Sequence, residues 1–480
     1  MGEVVVGVFP GQGSYSPGSF SVLLELPVAR QVVHEVDAVA RRVLGHGLEP
    51  VLGETPLTAD ELLATAPDIA QVAAFATSVA LYEVLAAEGV MPSLLVGHSL
   101  GEISALVAAG ALSTSRGAEV LCHRIVALRE CDTSGGRMVA LSCDRDRAER
   151  IIALLPTATA VVAVGNGPRQ TTVSGTADEM DRVRTIAAAI GVAATSLRAP
   201  HPFHGPLLER AREEFAHRIE DVRAGDFAVP VHSPILGRHY RAGERLADAL
   251  SSHLVCPVDF GAAVERLHTA GARIWVEVGA GRTLINIVRA IRPDALGLAP
   301  LASGTSSIAE VVDFLRPPPA GHAQVRQVNG SVVRLPLITS RDVPVLAGPV
   351  GVEQSRPAPR VAPETAQALE PTLEPTPDEA ADAITDQATV AAGPVDREEL
   401  AARVRSVYAA VLEYPEDVFE DDAALEADLG VDSVKQTELF ARIGQELGMG
   451  VRPDGLRVSD YPTFGGVVDF FVGSLRAGAR

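Results

Sequence analysis

The chain is a succession of short apolar runs, each broken by glycine or proline and followed by a stretch of helical spacing. Val4 to Phe9 is apolar and β-branched and predicts a buried strand, followed by a loop from Pro10-Gly11-Gln12-Gly13-Ser14 on to Gly18. Helical patterns occupy Ala29 to Val43 and Pro67 to Glu88. Leu94 to Gly97 is a second buried run, and helical residues follow to Gly110 and again from Ser115 to Glu130. Strands alternating with helices in this way predict an α/β fold around a parallel sheet.

From Arg137 to Arg198 the order becomes strand, helix, strand, strand, helix, strand, the order of a ferredoxin-like unit. Its central turn, Gly165-Asn166-Gly167-Pro168, is a strong hairpin signal. A strand at Phe227 to Ser233, helices at Leu246 to Leu254 and Pro257 to Ala270, a strand from Ile274 and a helix from Leu284 to Ile291 follow. Residues 1–300 are therefore expected to form one α/β unit, with the 137–198 subdomain inserted, and 301–347 an extension of it.

Between residues 348 and 393 Pro, Ala, Glu and Thr dominate and aromatic residues vanish, which predicts an acidic, mostly disordered linker. Residues 394–480 regain helical spacing at Arg397 to Leu412, near Ser433, and from Pro462 to Phe471, which predicts an all-α four-helix bundle.

The net charge of −20 argues against nucleic-acid and anionic-membrane binding. The four cysteines (Cys122, Cys131, Cys143, Cys256) form no C-x-x-C pair and read as reduced thiols of a cytoplasmic protein. The N-terminal run is too short for a secretion signal, and no run reaches the length of a membrane span.

Gly97-His98-Ser99-Leu100-Gly101 places G-x-S-x-G between a strand and a helix, the pattern of a nucleophile elbow. A serine hydroxyl is a weak nucleophile and needs a base. Alone, the pentapeptide fits an ordinary glycine-rich turn equally well. The missing base has candidates in Ala199-Pro200-His201-Pro202-Phe203-His204-Gly205, two histidines in a constrained loop. Arg124 lies on a helix, where an arginine is usually a surface residue; its alternative task is a bidentate clamp on a carboxylate. Ser433 follows Asp428-Leu429-Gly430-Val431-Asp432 where a helix begins, and serine is a favoured N-cap.

Taken together, Phe9-Pro10-Gly11-Gln12-Gly13, Gly97-His98-Ser99-Leu100-Gly101-Glu102, Arg124, Asn166-Gly167-Pro168, Val173-Ser174-Gly175, Phe203-His204 and Glu277-Val278-Gly279 resemble malonyl-CoA:acyl-carrier-protein transacylases and polyketide synthase acyltransferase domains. The segment Glu426 to Lys435 resembles acyl carrier proteins, those of polyunsaturated-fatty-acid and related polyketide synthases above all.

The resemblance implies Ser99 as nucleophile, His204 as general base, and the amides of Gln12 and Leu100 as an oxyanion hole. It implies Arg124 as the partner of a malonyl carboxylate, with His98, Gln71, His201, Asn166 and His253 around the substrate. It implies 4'-phosphopantetheine on Ser433, an acyl-CoA substrate, a phosphopantetheinyl transferase, and a ketosynthase and other carriers on separate chains. His253 departs from the family, which often has Gln or Asn there and uses the backbone carbonyl to orient the histidine. His201-Pro202-Phe203-His204 resembles the His-Ala-Phe-His variant of malonyl-selective members, with Pro202 and Gly205 as departures. Loading of a monocarboxylic starter and hydrolytic release of acyl groups remain alternatives on the same elbow.

Overall fold

A computed structural model describes residues 4–302 except 13, 54, 55 and 158, then 307–316, 324–328, 331–335, 397–412 and part of 418–478. The strands in chain order are β1 (Val4–Phe9), β2 (Leu94–Gly97), β3 (Arg137–Leu141), β4 (Val161–Gly165), β5 (Thr171–Gly175), β6 (Ala194–Ser196), β7 (Val231–Ser233), β8 (Arg238–His239), β9 (Val258–Asp259), β10 (Ala272–Glu277) and β11 (Leu296–Leu298). A further hairpin joins Gln324–Val328 to Ser331–Leu335.

The main sheet has the order β11-β10-β1-β2-β7-β8. All its pairs are parallel except the last, where β8 runs against β7. The central strands are apolar without alternation because helices cover both faces. The register sets Phe9 beside Gly97 and Val8 beside Glu277, so the loops that follow β1, β2 and β10 leave the same edge. Open parallel sheets place their chemistry at that edge.

The helix Pro67–Ala87 is apolar on nearly every side and buried from Ile69 to Leu85 except at Glu83. It is long and apolar enough to cross a membrane, against the expectation that no run would be. Here it packs against Pro27–Leu44, Gly101–Ala108 and Thr114–Cys131 as a core helix.

The elbow depends on its glycines. A Cβ on Gly97 would stand 2.2 Å from Glu102 Cα, and one on Gly101 would stand 2.0 Å from the Phe9 carbonyl oxygen. The elbow helix (Gly101–Ala108) therefore crosses directly over the end of β1, and the His98 amide donates to the Phe9 carbonyl at 2.8 Å.

The small subdomain has the order β6-β3-β5-β4-β9. Its first four strands follow the expected ferredoxin-like arrangement, and the Asn166 amide closes the predicted turn on the Gln170 carbonyl at 3.0 Å. The fifth strand was not expected. Pro257 to Ala270 reads as one helix, but Asp259 caps a helix that begins at Phe260, and Val258–Asp259 pairs in parallel with β4. That pairing ties the subdomain to the main unit. Two other readings also shift. Pro230 keeps Phe227 to Ser233 from pairing along its whole length, so only Val231–Ser233 is strand. The loop after β1 gives way at Pro17 to a helix, Pro17–Glu25, with the proline in its first turn.

In the carrier region the helices Arg397–Leu412 and Phe464–Gly478 share a core of Tyr408, Phe419 and Phe464. The linker at 348–393 and Ser433 lie outside the described residues, as does most of the second helix expected of the bundle.

Gly101→Ala is expected to cost about 1–3 kcal/mol or more by overpacking the elbow on β1. Gly18→Ala, in a helix with open space around its Cα, is expected to be neutral or slightly stabilising. Thermal denaturation of both variants checks this; equal melting temperatures would show that the elbow can yield.

Candidate active site

Ser99 and His204 are the two non-glycine residues with positive φ among the described residues, at 55° and 61°. Each such conformation costs about 1–3 kcal/mol and persists only where the surroundings impose it. For Ser99 the imposing elements are β2, the two elbow glycines and the elbow helix. For His204 they are two carbonyls on the segment after the helix Leu246–Ser252: the His204 amide donates to Leu254 O at 2.8 Å, and Nδ1 lies 3.0 Å from Cys256 O.

The second bond assigns the tautomer. A carbonyl only accepts, so Nδ1 carries the proton and Nε2 presents its lone pair. Ser99 Oγ lies 2.8 Å from Nε2 and donates to it. Burial, followed by the charge of Arg124, pushes the His204 imidazole down to about 3. It is therefore a neutral base throughout the physiological range.

The carbonyl that orients His204 belongs to Cys256, not to His253 as the sequence reading has it. Nor does the His253 side chain line a substrate pocket. It is buried with Nε2 at 3.0 Å from Tyr240 Oη and 3.3 Å from Glu102 Oε2, and Tyr240 donates to the same carboxylate at 2.6 Å. Glu102 sits on the elbow helix and is fully buried, so its carboxylate needs these partners. This cross-link fastens the nucleophile's helix to the segment that orients the base.

Arg124 is 2% exposed. Its Nη1 donates to Gln71 Oε1 at 2.5 Å, and its guanidinium lies 4.9 Å from the centroid of the Phe203 ring. Burial pushes it down to about 10, so it stays charged. No ion pair to it occurs among the described residues, and Nε has no hydrogen-bond partner there. The surface-residue reading of this arginine fails. An unpaired buried cation is costly, and an anion is the group that relieves it.

His98 Nε2 donates to Asn166 Oδ1 at 3.0 Å, Asn166 Nδ2 in turn donates to Gln170 Oε1, and the His98 ring packs edge-on against Phe260. Burial lowers the His98 pKa, against the Asn166 bond. His201 reaches Asp132. At the elbow, a Cβ on Gly11 would stand 3.1 Å from His98 O and 4.0 Å from Ser99 Cβ, so the loop carrying Gln12 runs against the nucleophile. Leu100 is buried at the start of the elbow helix. The structure thus brings together Ser99, His204, Arg124, Gln71, His98, Asn166 and the Gln12 loop. Sequence reasoning missed Cys256, Glu102, Tyr240 and Asp132, which act through contacts distant in sequence and carry no local signature.

The arrangement suits acyl transfer: a hydroxyl with a neutral base, amides at a helix start, and a buried cation. Comparison with known families matches residues 6–302 to the acyl transferase domain. The chain belongs to that family. It is an acyltransferase that resembles polyketide synthase acyltransferases and malonyl transacylases. Residues 402–471 match the phosphopantetheine attachment site family, which brings a covalent 4'-phosphopantetheine.

Among curated relatives, erythronolide synthase EryA3 of Saccharopolyspora erythraea is 32% identical over 313 residues, 65% of this chain and 10% of that one. Phenolphthiocerol synthesis polyketide synthase Pks15/1 of Mycobacterium marinum is 32% identical over 312 residues, 64% of this chain and 14% of that one. The chain spans about a tenth of the length of such relatives. Among solved structures, the malonyl-CoA:acyl carrier protein transacylase of Xanthomonas oryzae is 28% identical with a TM-score of 0.58, covering 65% of this chain and 98% of that one. The loading acyltransferase of the avermectin modular polyketide synthase is 27% identical with a TM-score of 0.58, covering 65% and 98%.

A histidine at the ordinary 6.5 loses half its base form at pH 6.5; His204, held lower, does not. The rate of Ser99 acylation by an acyl-CoA is therefore expected to stay flat from pH 8 down to about 5. Rapid-quench acylation across that range checks it, and a fall centred near pH 6.5 would contradict it.

Proposed function

We propose that this acyltransferase takes a malonyl-type extender unit from CoA onto Ser99 and passes it to the phosphopantetheine thiol on Ser433 or on another carrier. The observation that carries the reading is the buried Arg124 guanidinium, without an ion pair among the described residues, beside the Ser99–His204 pair. A free carboxylate on the acyl group completes that site, and a monocarboxylic acyl group leaves the charge bare.

In the first half-reaction His204 Nε2 takes the Ser99 proton as Oγ attacks the thioester carbonyl. The developing oxyanion faces the amides of Gln12 and Leu100, and loss of one such donor typically costs about 100- to 1000-fold. His204 then returns its proton to the departing CoA thiolate, leaving the acyl group as an ester on Ser99. In the second half His204 takes the proton of the incoming carrier thiol, and Ser99 Oγ leaves with it. The phosphopantetheine group supplies that thiol. Throughout, Cys256 O holds the imidazole, and Arg124 with Gln71 orients the acyl chain.

The acidic linker expected at 348–393 gives the carrier reach to Ser99 and then to a ketosynthase on another chain. A phosphopantetheinyl transferase is required to prime Ser433. Starter loading and hydrolytic editing use the same elbow, and Arg124 disfavours both for monocarboxylic groups.

Arg124→Ala is expected to lower kcat/KM for malonyl-CoA by about 10- to 100-fold, the worth of a charge-assisted hydrogen bond, while leaving acetyl-CoA no worse. Steady-state kinetics with both thioesters checks it; parallel loss for both would contradict the assignment. In the holo chain, Ser99→Ala is expected to abolish loading of the carrier arm, read by intact-protein mass spectrometry. Undiminished loading would overturn the reading. Release of free malonate faster than thioester formation would favour editing.

A further inference from the structure

Arg124 lies on the helix Thr114–Cys131, and Asp132 caps the same helix at its C-terminus, two turns further on. The Asp132 side chain is almost wholly buried, and its Oδ2 accepts from His201 Nδ1 at 2.6 Å. Its Oδ1 accepts from the Ser134 amide at 2.9 Å and from Ser134 Oγ at 2.6 Å. Ser134 Oγ in turn accepts from the Gly136 amide at 3.1 Å. Residues 132–136 are thus laced into a pedestal. Pro202 rests on its far end, where a Cβ on Gly136 would stand 2.6 Å from Pro202 Cγ. The departure from the family at Pro202 is accommodated because position 136 has no side chain.

The loop 201–204 is therefore pinned at two points by the cap of the helix that carries Arg124. Just beyond them the Phe203 amide closes a tight turn on His201 O at 2.9 Å. The Phe203 ring is buried, lies under the Arg124 guanidinium, and stands edge-on to His201 with centroids 5.5 Å apart. Phe203 is next in the chain to His204, so its ring is a wall of the space between base and cation. An acyl group esterified to Ser99 with its carboxylate on Arg124 places its α-carbon in that space.

We infer that Asp132 is a specificity-determining positioning residue: through His201 it holds the Phe203 wall at a fixed distance from Arg124 and so excludes α-substituted malonyl groups. The inference rests on the malonyl-transfer reading above. The Asp132–His201 bond ties the loop that carries Phe203 to the cap of the helix that carries Arg124, so wall and cation share one anchor. Burial pushes the Asp132 carboxyl up, but the bonds from Ser134 and His201 outweigh it and hold the group below its usual value. The clamp is thus a carboxylate at working pH.

The test is a competition on the full holo chain, with equimolar malonyl-CoA and methylmalonyl-CoA and the two acyl adducts read by mass spectrometry. The native chain is expected to favour malonyl by about 10- to 200-fold, the worth of one methyl group in a closed pocket. Asp132→Ala and His201→Phe break the same bond from its two ends. Each is expected to cut that preference by about tenfold or more, and the double variant to cut it no further than either single one. Asp132→Ala is expected to keep a near-native rate with malonyl-CoA alone.

A structural role alone lowers both substrates in parallel and leaves their ratio untouched; an unchanged ratio in either folded variant overturns the inference. A native chain without preference between the two thioesters overturns it as well. Should Asp132→Ala fail to fold, His201→Phe, on the more exposed side of the bond, decides. A native chain that forms no malonyl adduct at all is instead the failure of the transfer reading, so the two are distinguishable.

Discussion

The hydrogen bond between Ser99 and His204 is the contact on which the rest of the molecule depends. It joins two residues held in left-handed backbone, each on a different part of the fold. Neither conformation is stable locally. Ser99 is forced there by a helix that crosses β1 so closely that only glycine fits at positions 97 and 101. His204 is forced there by two backbone carbonyls from the segment that leads into β9. The strain is offset by the packing of the whole parallel sheet beneath. The Glu102–Tyr240–His253 cross-link then keeps the two halves in register across the buried interior.

The electrostatics follow from burial. His204 is a free base because a charged imidazole is penalised twice, by loss of water and by the neighbouring guanidinium. Arg124 keeps its own charge because arginine is so basic that even burial leaves it protonated. The same cation therefore helps keep the base neutral and, in the function proposed above, receives the acyl carboxylate.

Much of this was legible in the sequence, and for identifiable reasons. The elbow glycines are demanded by steric contact within a few residues, so the pentapeptide announces them. The hairpin at Asn166-Gly167 and the alternation of apolar runs with helical spacing are likewise local. Arg124 alone looked like a surface residue, and only the surrounding motifs gave it a task. What was not legible are contacts between residues far apart in the chain. Cys256 acts through its carbonyl, which any residue supplies. The two-residue strand β9 is too short for a periodic signal. The resemblance assigns His253 to the substrate, because a sequence cannot tell that Glu102 is buried behind the elbow and turns the imidazole toward itself. Asp132 sits in a plain Asp-x-Ser-Gly-Gly turn, and only folding brings His201 to it.

The proposed function requires that Ser99 be acylated selectively by a group bearing a free carboxylate. The most direct measurement uses the full chain with Ser433→Ala, so that Ser99 is the site under test. After brief exposure to equimolar malonyl-CoA and acetyl-CoA, intact-mass and peptide mass spectrometry locate the adduct. A malonyl ester on Ser99 with little acetyl ester beside it is the expected result. An acetyl ester in equal or greater amount would contradict it, because the buried guanidinium would then face no acyl carboxylate.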